Sequence, residues 1–127
     1  MKLLIVGESL SSIEFLKTLF PSPSSFSTCT CFYHQAVQTI SEEKPDIILA
    51  DIALSPQDGL KICAAICSNT TAPVLVLSVS NNPHYIAGIL DAGADDFLVK
   101  PISFDILNAK INKTLRRVNI YSQPITF

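Results

Sequence analysis

Short apolar runs alternate with segments of helical periodicity along almost the whole chain. Five runs have the length and composition of strands: Lys2–Val6, Phe26–Phe32, Asp46–Ala50, Pro73–Leu77 and Asp96–Val99. Helical spacing follows each run, and the predicted helices end near Phe20, Lys44, Cys67, Ala92 and Arg117. Strands that alternate with helices in this way form parallel sheets. We therefore predict an α/β fold, a five-stranded parallel sheet with helices on both faces.

Composition excludes several classes of protein. The chain has 127 residues, 48% hydrophobic and 16% charged, which suits one domain with a core and argues against disorder. A net charge of -2 gives no overall attraction to nucleic acid. The apolar run before Gly7 is too short for a signal peptide or a spanning helix, so we expect a cytoplasmic protein without membrane contact. We then expect reduced cysteines at the four positions Cys29, Cys31, Cys63 and Cys67.

The residues that end the predicted strands lie at the edge where open parallel sheets bind ligands. They are Gly7, Glu8, Asp51, Ser78 and Lys100, and all except Gly7 carry a polar side chain. Two carboxylates can hold a hard divalent cation, and a hydroxyl and an ammonium can stabilise a phosphoryl group. The same residues also allow a simpler interpretation, in which Asp51 and Lys100 form a partly buried ion pair. No Gly-rich phosphate loop and no nucleophile–base pair is present, so we expect no enzymatic activity.

Three segments carry a resemblance to a known family. They read PDIILADIALSPQDGL (Pro45–Leu60), PVLVLS (Pro73–Ser78) and AGADDFLVKP (Ala92–Pro101). The chain resembles the receiver domains of bacterial response regulators from about Lys2 to Arg117. The resemblance implies a flavodoxin-like fold with Asp51 at the phosphoacceptor position. It also implies switch roles for the hydroxyl, the aromatic ring and the ammonium of Ser78, Phe97 and Lys100.

The chain departs from the family at its first acidic pair. Where the family has two acidic residues that hold magnesium, this chain has Gly7 and Glu8, and Val79 replaces a small residue after the hydroxyl. We therefore predict a degenerate acid pocket in which Glu8 and Asp51 bind magnesium weakly or not at all. We expect Val79 to crowd the phosphoryl site and phosphorylation to be slow or absent, with no cofactor required.

The alternative is a conventional switch that tolerates these changes. In that case Asp51 accepts a phosphoryl group from a histidine kinase with the help of Mg²⁺. Gly7 discriminates between the two hypotheses, because Gly7→Asp restores magnesium-dependent phosphorylation only if the wild type lacks it.

The end of the chain resembles one subfamily, the OmpR/PhoB-type transcription factors, through AGADDFLVKP and INKTLRR (Ile111–Arg117). This resemblance implies residues 1–117 as the receiver and residues 118–127 as a linker toward a DNA-binding domain absent from this chain. It also implies a homodimer through the fourth helix, fifth strand and fifth helix. A free-standing adaptor without a DNA-binding partner domain remains a third hypothesis.

The residues expected at this dimer face are Ile86, Leu90, Asp95, Asp96, Ile106, Lys110 and Arg117. Phe104, Leu107, Ile111 and Leu115 form a stripe that should face the sheet, which turns Ile106 outward. In the subfamily the positions of Ile86 and Ile106 often carry an opposite-charge pair. We therefore predict a dimer that depends more on apolar contact and less on charge. The simpler interpretation is a solitary isoleucine on a solvated helix face.

Overall fold

The computed structural model describes residues 1–20 and 26–122, with the side chains of residues 119–122 left aside. Strands and helices alternate throughout, as predicted. The strands are β1 (Lys2–Gly7), β2 (Ser27–Phe32), β3 (Ile47–Asp51), β4 (Val74–Ser78) and β5 (Asp96–Val99). The helices are α1 (Leu10–Thr18), α2 (Ala36–Glu43), α3 (Pro56–Cys67), α4 (Pro83–Asp91) and α5 (Phe104–Ser122), with a short 3-10 helix at Tyr33–Gln35 before α2.

The five strands form one parallel sheet in the order β2-β1-β3-β4-β5, which confirms the predicted fold class. β1, β3 and β4 are buried on both faces, because helices cover each side. One apolar core joins the sheet to α1 and α5 through residues such as Leu16 and Ile111. The other joins it to α2, α3 and α4 through residues such as Ile40, Ile66 and Ile89.

Serine side chains mark the starts of two helices. Ser9 caps α1 and accepts a hydrogen bond from the Ser12 amide. The segment from Ser55 to Gly59 forms the cap and the first turn of α3. Ser55 is the cap and Pro56 occupies the first helical position, where its fixed φ suits a helix and no amide donor is lost.

Two features of α5 also differ. The helix continues to Ser122 rather than ending near Arg117, because the first helix-breaking residue beyond it is Pro124. Part of the predicted linker is therefore helical, and residues 123–127 lie outside the described residues. Phe104 is half exposed and packs edge-on against Phe20 of the α1 region instead of the sheet. In the described part of the chain, no helix is long and apolar enough to cross a membrane.

Candidate functional site

The predicted site residues converge at the carboxyl edge of three adjacent strands. Gly7 ends β1, Asp51 ends β3 and Ser78 ends β4, and these strands lie side by side in the sheet. All three residues are buried. Lys100 follows β5, and its backbone amide donates a hydrogen bond of 2.8 Å to the Ser78 carbonyl. The fold thus brings together Gly7, Asp51, Ser78 and Lys100, which the sequence analysis predicted from the ends of four separate strands.

Asp51 and Lys100 form an ion pair at the centre of this edge. The distance from Lys100 Nζ to Asp51 Oδ1 is 2.5 Å. The two partners differ in exposure, since the Asp51 side chain is 4% exposed and the Lys100 side chain 30%. A carboxylate this deeply buried requires a cation beside it, because desolvation of an unpaired charge is costly. Both interpretations of the sequence, phosphoryl site and structural ion pair, are compatible with this contact.

Tyr33 is a site residue that the sequence analysis missed. Its hydroxyl donates to the Asp51 carbonyl at 2.6 Å and accepts from the Ala53 amide at 3.0 Å. Burial raises the pKa of the Tyr33 hydroxyl to about 12, so it remains a donor at neutral pH. Tyr33 thereby holds the start of the loop after β3 in place. The only sequence signal was an aromatic residue directly after β2, on a neighbouring part of the same sheet edge.

Gly7 faces the side chain of Ile13 in α1. A Cβ atom added to Gly7 would lie 2.9 Å from Ile13 Cγ1, closer than two carbon atoms pack. Ile13 is itself almost fully buried, so α1 fills the space next to the first strand end with a hydrocarbon side chain. Glu8, the next residue, is exposed. The end of the first strand therefore offers one carboxylate, that of Glu8 directly after β1, and this residue is exposed.

Ser78 ends β4 and Phe97 lies in β5, the two strands that follow β3 in the sheet. Ser78 is 5% exposed, and its hydroxyl accepts a hydrogen bond from the Ser80 amide at 3.2 Å. Phe97 is half-buried and packs edge-to-face against Tyr85 of α4, with ring centroids 5.8 Å apart. The aromatic ring of β5 thus lies against the α4 side of the core.

Val79 lies at the outer edge of this site. Its side chain is 75% exposed. The reason is the alternation of side chains along extended backbone, because Ser78 points inward and the following residue must point outward. Val79 lies at the solvent boundary near Asp51 and Lys100, where it lines an apolar cleft with them.

The face formed by α4, β5 and α5 exposes apolar side chains. Ile106 is 53% exposed and Leu90 is 42% exposed, while Ile86 is half-buried. Ile106 therefore points away from the core, as the helical spacing predicted. Arg117, a basic residue predicted at the dimer face, is exposed as well.

Two predicted interface carboxylates are engaged within the chain. Asp96 forms an ion pair of 3.1 Å with Lys110. The Asp95 carboxylate accepts a hydrogen bond of 2.7 Å from the Val74 amide at the start of β4. Asp95 therefore organises its own sheet, and Asp96 and Lys110 already have each other as partners.

The cysteines lie in two separate places, Cys29 and Cys31 on β2 and Cys63 and Cys67 on α3, and all four are free thiols. Burial raises the pKa of the Cys31 thiol, as expected for a small apolar side chain in a core. Within residues 1–20 and 26–122, no three His, Cys, Asp or Glu side chains cluster in a way that could hold a metal ion.

Comparison with known proteins agrees with this geometry. The sequence model of a family described as "Response regulator receiver domain" matches residues 3–112. The "Sensory transduction protein BceR" of Halalkalibacterium halodurans is 35% identical over 94 residues, which cover 74% of this chain and 41% of that protein. The protein of the same name from Bacillus subtilis is 37% identical over 95 residues. The match thus spans about two fifths of the length of these relatives.

A solved structure supports the same relationship. The crystal structure of a two-component response regulator from Clostridium difficile superimposes with a TM-score of 0.83. It is 32% identical in sequence, and the alignment covers 94% of this chain and 98% of that one.

Proposed function

This chain belongs to the response regulator receiver domain family, and on that premise we propose that it is a dimerisation domain that needs no phosphoryl group to reach its active arrangement. The proposed regulator is of the OmpR/PhoB type and acts in the cytoplasm. It contacts DNA through a further domain outside this chain, and the dimer forms through α4, β5 and α5. The observation that carries the proposal is the packing of Ile13 against Gly7.

The first argument concerns the metal on which receiver phosphorylation depends. Mg²⁺ requires nearly octahedral oxygen ligands at a pocket of fixed geometry. Gly7 has no side-chain oxygen, and a side chain placed there would collide with Ile13. Glu8 is exposed, and the Asp51 oxygen Oδ1 is already paired with Lys100. The residues at this edge therefore do not fit a tightly held magnesium ion.

The second argument concerns charge. A phosphodonor and the Asp51 carboxylate repel each other, and the cation that offsets this repulsion in the family is the metal. Lys100 supplies one positive charge, which Asp51 already balances. The ion pair therefore stabilises the unmodified pocket.

The third argument concerns the output face. Ile106 on α5 and Leu90 on α4 are exposed apolar side chains, and Ile86 lies one helical turn before Leu90 on α4. Burial of such side chains against a second copy is favourable by about 25 cal/mol for each Å² of apolar surface removed from water. Because Asp96 and Lys110 pair within one chain, the contact depends less on charges exchanged between copies.

Phosphorylation with acetyl phosphate and Mg²⁺ tests the proposal, with intact mass as the readout. We expect little or no phosphorylation of the wild type. Gly7→Asp alone should fail to restore it, because the new side chain meets Ile13. Gly7→Asp combined with Ile13→Ala should gain phosphorylation, and Ile13→Ala alone is the matched control. Rapid magnesium-dependent phosphorylation of the wild type would overturn the proposal.

The second candidate is the conventional switch, in which a histidine kinase phosphorylates Asp51 with Mg²⁺. It is supported by the resemblance, which implies switch roles for Ser78, Phe97 and Lys100 around Asp51, and by the contact between Lys100 and Asp51. Under this hypothesis Asp51→Asn abolishes a signal that the wild type shows in the same assay.

A further inference from the structure

β2 is an edge strand of the sheet, and no strand of the described residues lies on its outer side. Only β1 pairs with it, because the sheet order is β2-β1-β3-β4-β5. An edge of this kind presents backbone amides and carbonyls that a further strand can bind. β2 has six residues, which is an ordinary strand length and enough for a second strand to pair with it.

The hydrogen bonds to β1 show which residues of β2 face the outer side. The Ser27 amide donates to the Met1 carbonyl at 2.8 Å, so the backbone groups of Ser27 face β1. In a parallel pair, alternate residues of a strand bond to the neighbour and the residues between them point their amides and carbonyls away from it. The register of β1 and β2 therefore turns the backbone groups of Thr28 and Thr30 outward.

The two threonines are the free hydrogen-bonding residues of this edge. The Phe32 amide, the next that points outward, accepts no further partner because it already donates to the Gln35 side chain at 3.0 Å. Within residues 1–20 and 26–122, no partner is found for the amide or carbonyl of Thr28 or Thr30. Each threonine thus offers one donor and one acceptor to a further strand.

The edge lacks the features that commonly prevent strand pairing. Edge strands of natural proteins often carry lysine, proline or a bulge, and β2 has neither a charged residue nor a proline. In the sequence, no Asp, Glu, Lys or Arg occurs between Lys17 and Glu42. The charged residues beside the strand, Lys2 and Glu43, pair with each other at 2.8 Å. A second copy of the edge therefore meets little repulsion.

We propose that β2 pairs antiparallel with β2 of a second copy of this chain, with the twofold axis at Cys29. Thr28 of each copy then lies opposite Thr30 of the other, and each of the two pairs exchanges two backbone hydrogen bonds. This register satisfies every free backbone group of the two threonines. β2 and β5 are opposite edges of the sheet, so the contact leaves the face of α4, β5 and α5 free and does not rest on the proposed function.

Disulfide trapping tests this pairing, because the register places the two copies of Cys29 opposite each other. Facing residues between two hydrogen-bonded pairs have Cα atoms about 4.5 Å apart, and a disulfide spans about 4.4–6.8 Å between Cα atoms. Diamide is the oxidant, and it takes up the two thiol hydrogens as the S–S bond forms. The reaction is run at alkaline pH, because burial raises the pKa of the Cys29 thiol and the thiolate is the reactive form.

The Ile106→Asp chain is the starting protein, so that the proposed dimer through α4, β5 and α5 does not contribute. Four backbone hydrogen bonds make a weak contact, with an expected dissociation constant on the order of 1 mM, and the chain is oxidised at about that concentration. We expect a covalent dimer joined through Cys29, identified by peptide mass spectrometry. Cys29→Ser should abolish it, and Cys67→Ser, which removes a half-buried thiol on α3, should not. Absence of the dimer, or a dimer that persists in Cys29→Ser, would overturn the proposal.

Two variants at position 30 separate strand pairing from random collision of thiols. Thr30→Pro removes the outward amide of each copy, hence two of the four hydrogen bonds, and should slow trapping at least about tenfold. Thr30→Val keeps the amide and the branched shape and should leave the rate unchanged. Thr30 is exposed at an edge, where both substitutions are tolerated, and circular dichroism verifies the fold. Equal trapping rates in the two folded variants would contradict the pairing.

Discussion

Gly7 and Ile13 show how one residue pair decides the chemistry of the strand ends. The side chain of Ile13 lies where a side chain at position 7 would begin, so glycine is the residue that this packing accepts. The consequence is that position 7 supplies no carboxylate next to the buried Asp51. Neither residue alone predicts this, because the contact joins β1 to α1 and exists only in the folded chain.

Gly7→Ala should destabilise the domain for this reason. Its Cβ would lie 2.9 Å from Ile13 Cγ1, and overpacking of this kind costs roughly 1–3 kcal/mol. Urea denaturation measures the change in the free energy of unfolding. In an Ile13→Ala background the same substitution should cost much less, and an equal cost in both backgrounds would show that the two side chains do not interact.

Tyr33 and Tyr85 provide a second prediction through their hydroxyl groups. Tyr33 has two hydrogen bonds to the segment after β3, whereas the buried hydroxyl of Tyr85 has no partner among the described residues. Tyr33→Phe should therefore lower the free energy of unfolding by about 1–3 kcal/mol, and Tyr85→Phe should be neutral or stabilising. Thermal denaturation of the two variants side by side is the measurement. A larger loss for Tyr85→Phe would contradict this description of the two hydroxyl groups.

The starts of α3 and α4 show what local sequence predicts without knowledge of tertiary contacts. Asn82 followed by Pro83 is a local signal for the start of α4, and the Asn82 side chain accepts hydrogen bonds from the His84 and Tyr85 amides. Ser55 followed by Pro56 is the same kind of signal, and α3 begins there. Capping signals were therefore sufficient for both helices.

Asn82→Ala should cost about 1 kcal/mol of stability through loss of this cap. Asn81→Ala is the matched control, because Asn81 is exposed and precedes the cap by one residue. Chemical denaturation should separate the two variants by that amount. Equal stability of the two variants would mean that α4 gains nothing from its cap.

The fold of the whole molecule was predictable from the sequence. The partners of its surface side chains were less so. Alternation of apolar runs and helical spacing determined the parallel sheet, and the strand ends then placed Asp51, Ser78 and Lys100 together. The internal partners of Asp95 and Asp96 were not predictable, because each depends on which neighbouring group the folded chain brings within bonding distance. The dimer face stays a prediction that rests on the exposed residues Ile106 and Leu90.

Association of two chains through this face should respond weakly to salt. A tenfold increase in sodium chloride should change the dissociation constant of the dimer by less than about threefold, since apolar contacts are not screened. Ile106→Asp should weaken the dimer at least about tenfold, and Val37→Asp on α2 should not. Analytical ultracentrifugation measures both effects. Strong weakening by salt together with a harmless Ile106→Ala would contradict an apolar interface.

The molar mass of the domain in solution tests the phosphate-free assembly most directly. Sedimentation equilibrium at micromolar concentration, without phosphodonor or beryllofluoride, is the measurement, and Asp51→Asn is the matched control. The predicted result is twice the mass of one chain for both proteins. A wild type that remains monomeric, and dimerises only after addition of a phosphodonor and Mg²⁺, would contradict the account.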